Sequence, residues 1–181
     1  VSNLCEYNLY IVLSKTDTIL GRAIRRYLGV EYNHCSIALD SSLEQLYSFG
    51  RKHVYNFVSA GFVVEGKDHG FFKVYRNANI SVLKWTVSKE EWDRVKSTID
   101  TFSANKKEYR YNILGLISCS LDIPYARKNQ YFCSQFVADV LAQSGVYQFN
   151  KDSRLVKPHE FLSITMATPT YTGKIGSYMV M

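Results

Sequence analysis

The chain has 181 residues, enough for one domain with a core of its own. Hydrophobic residues make up 46% and charged residues 21%, and no apolar run reaches the length of a membrane-spanning helix, which excludes a disordered tail and a transmembrane anchor as the main theme. The net charge of +6 is scattered over Arg22, Arg25 and Arg26 and over Lys106, Lys107 and Arg110. It reads first as solvated helix faces, with acidic peptides or anionic lipid headgroups as the alternative partners.

In chain order, YNLYIVL (Tyr7 to Leu13) reads as a strand. Ile19 to Leu28 reads as a helix with Asp17 or Thr18 as its cap and Gly29 past its end. HCSIAL (His34 to Leu39) is a second strand, Asp40-Ser41-Ser42 a turn, and Leu43 to Phe49 its hairpin partner. Phe62-Val63-Val64 forms a short strand leading to Glu65, and Phe71 to Val87 alternates as two strands around Asn77-Ala78-Asn79. Ser88 and Glu91 make a capping box for a helix whose Trp92, Val95 and Ile99 share one face. Tyr111 to Leu121 reads as a largely buried helix. Cys133 to Ser144 reads as another, closed by Gly145. Lys157 to Leu162 is a short turn with Pro158 at an early helical position. A helix, a run of strands and a helical block predict a single α+β domain. In it an antiparallel β-sheet, or partial barrel, packs against helices.

The cysteines are Cys5, Cys35, Cys119 and Cys133. No C-x-x-C pair or disulfide framework links them, which favours a reducing compartment, the cytoplasm first. No signal peptide opens the chain, and Val1 in place of Met leaves an upstream segment open. Cys133 opens the helix CSQFVADVLAQS on the same face as Phe136, Val137, Val140 and Leu141. A thiol at a helix N-terminus meets free N–H groups and the positive end of the dipole. Its pKa is therefore expected to fall, which makes it a nucleophile. The competing reading is a small buried hydrophobe. Cys119 lies inside an apolar helix as inert packing, and Cys35 points to the face opposite its neighbour His34. Of His34, His53, His69 and His159, only His34 opens an apolar strand, a setting from which an imidazole can be aimed across a cleft at a thiol.

YNHCSIALD, followed later by YFCSQFVADVL, resembles the circularly permuted branch of the NlpC-type papain-like superfamily, which also holds lecithin–retinol acyltransferase-like proteins. GRAIRRYLGVEYNH is similar to the family's approach to its histidine strand, and YRYNILGLI to its tyrosine-led helix before the nucleophile. The likeness covers about residues 7 to 160. It implies a permuted papain-like fold with Cys133 as nucleophile and His34 as general base. By motif position Ser48, in YSF, stands where relatives carry a Glu that orients the histidine. A two-residue turn instead puts Gln45 on the His34 face and a three-residue turn Glu44 with Ser48, while Glu65 is a further candidate.

No H-E-x-x-H motif, paired C-x-x-C or EF-hand loop is present, so no metal is expected. No glycine-rich phosphate loop occurs, so no nucleotide cofactor is expected either. Without a zinc finger or RRM signature, nucleic acid is not an expected partner. The first expectation is a cysteine peptidase or amidase acting on an amide bond, in a cell-wall or other peptide as the resemblance implies. The second is a lipid-directed acyltransferase or hydrolase with the same dyad. The third is a non-catalytic binding domain on this fold.

Overall fold

The structure, a computed structural model, describes residues 6–15, 22, 25–26, 29–53 and 56–180, with the backbone alone described for residues 53 and 56–58. β-Branched and aromatic runs build the central sheet: β1 (Tyr7–Lys15), β2 (His34–Ala38), β3 (Leu46–His53), β4 (Asn56–Glu65), β5 (Asn79–Val87) and β8 (Thr168–Lys174). The strands are antiparallel throughout, in the order β4-β3-β2-β1-β5-β8. The chain is thus α+β with an open six-stranded antiparallel sheet.

Alternation along the strands divides the interior in two. Leu9, Ile11, Leu13, Cys35, Ile37 and Phe49 turn to one face, where α2 (Lys89–Ala104) and α4 (Cys133–Gln143) pack through Val95, Ile99, Phe102, Phe136, Val137 and Val140. Tyr10, Val12, Ala38, Leu46, Ile80 and Val82 turn to the other, closed by α1 (Phe71–Val74) and by Ile175 and Tyr178 of the C-terminal tail. Rings lock α4 to the sheet: Phe136 stands 5.3 Å from Phe49, 5.6 Å from Phe62 and 5.0 Å from Phe102, centroid to centroid. The capping box of α2 is formed as its sequence predicts. Ser88 Oγ accepts from Glu91 N, and Ser88 N donates to the Glu91 carboxylate.

Three elements differ from the sequence reading. Residues 71–87 are not two strands: Phe71–Val74 form a helical turn whose Phe71 and Phe72 close the second core, and β5 begins only at Asn79. The helix predicted from Tyr111 is α3 (Ile113–Ser120), and it is largely exposed. Only Gly115 and Cys119 are buried on it, while Ile113, Leu114, Ile117 and Leu121 face outward. Strand β8 was not expected at all, because TPTYTGK carries a proline and no apolar alternation, and only its pairing with β5 makes it a strand. The helix predicted over Ile19 to Leu28, with its Asp17 or Thr18 cap, lies mostly outside the described residues, as does Cys5.

Candidate active site

The N-terminus of α4 is built by its neighbours. Arg110–Tyr111 (β6) and Gln130–Tyr131 (β7) form a two-residue parallel ladder. Tyr111 therefore lies beside Tyr131, two residues before Cys133. Asn112 N donates to the Tyr131 carbonyl at 2.9 Å, and Asn112 Oδ1 caps α3 by accepting from Gly115 N at 2.8 Å. The N-cap of α4 is Phe132, in extended conformation and with no side-chain acceptor. The first N–H groups of the helix thus stay available to an incoming or resident anion.

The Cys133 sulfur occupies that position. It is 2% exposed and faces the backbone N–H groups of Cys35, Ser134 and Cys133 itself, together with the Tyr111 hydroxyl. The Cys35 N–H belongs to the peptide that joins Cys35 to His34, so the sulfur sits one peptide from the histidine. Contrary to the sequence reading, the thiol pKa is raised from its usual value. Burial outweighs the four donors that favour the thiolate. The resting group near neutral pH is a thiol. Tyr111 is raised well above its usual value by burial and by the neighbouring sulfur, so it remains a donor.

His34 opens β2, with Ser14 of β1 opposite it. Its ring lies over Gly50, where a Cβ would stand 3.6 Å from Cε1. Its Nε2 is 3.9 Å from Glu65 Oε2, at the end of β4. The observed pairing of Ile37 with Tyr47 sets Leu46 and Ser48 on the His34 face. Ser48 nonetheless does not meet the imidazole: its Oγ donates to the Cys35 carbonyl at 2.6 Å. The group against His34 is Glu65. Gln45 bonds the Tyr47 hydroxyl, and Glu44 is exposed. Among the described hydrogen bonds and ion pairs, none joins His34 to Cys133.

Burial, then the positive charge of Arg51, pushes the imidazole down to about 4. Burial pushes the Glu65 carboxyl up to about 7, against the opposing pull of Arg51 and of the Phe71 N–H. Between about pH 4 and about pH 7 the carboxyl keeps its proton while the ring is neutral, the form in which a histidine accepts a proton.

The other sequence candidates stand apart. Cys119 is buried and its thiol is pushed up to about 11, first by burial, as inert packing requires. Cys35 turns to the α4 side and is raised well above its usual value, first by burial. His69 is exposed beside Gly66, and His159 is half-buried in the 3-10 turn Pro158–Ser163. Among the described residues no group of His, Cys, Asp and Glu could hold a metal ion. Sequence reasoning missed Tyr111 as a partner of the thiol, because a two-residue ladder leaves no periodic signal. It named Glu65 only as an alternative, because the pairing of β4 with β3 is not written in β4.

No protein-family model matches the chain, and no curated protein matches it.

Proposed function

We propose that the protein is a thiol hydrolase of the permuted papain-like, NlpC-type class, cleaving an amide or related acyl bond through Cys133 and His34. The observation that carries this reading is the setting of the Cys133 sulfur. It lies at an uncapped helix N-terminus, ringed by three backbone N–H groups and a tyrosine hydroxyl, at the peptide next to His34. Four neighbouring donors that favour the thiolate suit negative charge that develops on the sulfur and on a carbonyl oxygen beside it. The order of a histidine-led strand before a cysteine-led helix, on an α+β scaffold, agrees with the resemblance.

In the proposed reaction His34 takes the thiol proton as the sulfur attacks the carbonyl carbon. The Cys133 N–H and the Tyr111 hydroxyl hold the oxyanion. Collapse of the tetrahedral intermediate breaks the C–N bond, and His34 returns the proton to the leaving amine. Water, deprotonated by His34, then cleaves the thioester and regenerates the thiol. Glu65 takes the orienting role first given to Ser48, because it is the group that faces the imidazole. A neutral thiol and a neutral imidazole, with no hydrogen bond between them among those described, imply that the sulfur is activated only as substrate arrives.

The lipid-directed reading has one observation in its favour. Ile113, Leu114, Ile117, Leu121 and Ile123 are all about half exposed, on the helix and loop that follow Tyr111. An apolar face of this kind beside a nucleophile suits an acyl chain.

The test is acylation by para-nitrophenyl acetate, read by intact mass and peptide mapping. The acetyl group should be found on Cys133 before Cys5, Cys35 or Cys119, and Cys133→Ala should abolish the fast phase. His34→Ala should slow it by roughly 100-fold, the usual worth of a general base. Equal, slow acylation of all four cysteines would leave the non-catalytic reading standing.

A further inference from the structure

Beyond the Glu65 wall of the site, a cavity of about 380 Å³ opens between the β3–β4 hairpin and the turn that follows α2. Arg51 and Lys52 of β3 line it from one side, and Lys106 and Lys107 from the other. Its apolar wall comes from Val63 and Phe71. The Arg51 guanidinium lies over the Phe71 ring, 5.1 Å from its centroid. Lys52 runs along Gly61, where a Cβ would meet Lys52 Cε at 3.0 Å and the Tyr109 carbonyl oxygen at 2.6 Å. The close approach of the Tyr109 carbonyl is what requires glycine there, and the Lys52 stem lies in the space it leaves.

Four cations therefore share one concavity with one carboxyl, Glu65. Among the described residues no ion pair engages Lys52, Lys106 or Lys107. Lysines elsewhere show what is missing here: Lys89, Lys96 and Lys151, for example, each have a carboxylate within 2.7 Å. Like charges gathered around a concave wall repel one another and focus a positive potential into it, and a bound anion removes that cost. The volume exceeds what a lone phosphate fills and falls at the small end of ligand sites, so the apolar wall has room for more than the anion.

We propose that this cavity binds a phosphate or carboxylate group carried on a short apolar arm. The anion would be held by Arg51, Lys52, Lys106 and Lys107, and the arm would lie against Val63 and Phe71. That the ligand is part of the substrate rests on the hydrolase reading. The binding itself does not.

The experiment is titration of the Cys133→Ala protein, followed by calorimetry and by amide chemical shifts, with inorganic phosphate, hexyl phosphate, hexanoate and hexanol. Saturable binding of both hexyl anions, hexyl phosphate tighter than inorganic phosphate, and no binding of hexanol are expected. The Lys106→Gln/Lys107→Gln double variant should weaken hexyl phosphate about tenfold, as the loss of two charge-assisted contacts implies, while Lys89→Gln on the far surface changes nothing. Raised salt should weaken binding as well. Absence of saturable binding to the anions overturns the proposal. So does an unchanged affinity in the double variant. Sedimentation with phosphatidylglycerol vesicles distinguishes a lipid headgroup from a free anion, and vesicle binding without any soluble ligand binding also overturns the cavity. Anion binding in a wild-type protein that fails to acylate at Cys133 would sink the hydrolase reading alone. Acylation without anion binding would sink this one alone.

Discussion

At the scale of single residues, the site between about pH 4 and about pH 7 is built from neutral groups. The thiol is raised, the imidazole is lowered to about 4 and the carboxyl is raised to about 7, with burial the leading cause for all three. This has a consequence for stability. Glu65 binds a proton more tightly folded than unfolded, so its contribution falls as pH rises from about 4.5 to about 7. His34 binds one less tightly folded, so its contribution rises as pH climbs from about 4 to about 6.5. The two slopes oppose each other over most of that window, and the wild-type stability curve should be nearly flat there. Glu65→Gln removes the falling slope. It should gain up to about 3 kcal/mol relative to wild type at pH 8 over pH 4, read from urea unfolding at both pH values. A wild-type curve that falls both toward acid and toward alkali would instead mean that His34 and Glu65 form a charged pair.

Among the elements, α2 and α4 were the most legible, since each carries its own signal. Ser88 and Glu91 start α2 by a reciprocal pair of hydrogen bonds that needs no other part of the chain. Ser88→Ala should cost about 1 kcal/mol, read as a lowered urea midpoint with an unchanged slope. CSQFVADVL repeats its apolar residues at helical spacing, and Phe136, Val137, Val140 and Leu141 are all fully buried. Phe136 packs against rings from two strands and α2, so Phe136→Ala should cost about 3–5 kcal/mol by the same measurement. α3 was misjudged for the opposite reason. ILGLISCS is apolar enough for a core helix, yet Gly115 and Cys119 are its only fully buried residues, Asn112 caps it, and Ile113, Leu114 and Ile117 face outward. Periodicity reports what a helix can bury, not whether a partner is there to bury it.

For the whole molecule, one sheet serves two cores, and both draw on β2 and β1 at its centre. Strand β1 gives Leu9, Ile11 and Leu13 to one core and Tyr10 and Val12 to the other. The two faces cannot unfold separately without breaking that strand, so thermal unfolding followed by near-UV and far-UV dichroism should give one coincident transition. No helix among the described residues is long and apolar enough to cross a membrane.

The sequence by itself determined the α+β class, the strand that His34 opens, the helix that Cys133 opens and the cap of α2, because each of these is written within a few consecutive residues. Tertiary structure alone decided what those residues meet. Strand pairing brought Glu65 rather than Ser48 to His34, and a two-residue ladder brought Tyr111 to the Cys133 sulfur. Folding also overrode the expected fall in the thiol pKa. The helix terminus supplies its donors locally, but the loss of water around Cys133 is imposed by the packed sheet, and that larger effect has no local signature.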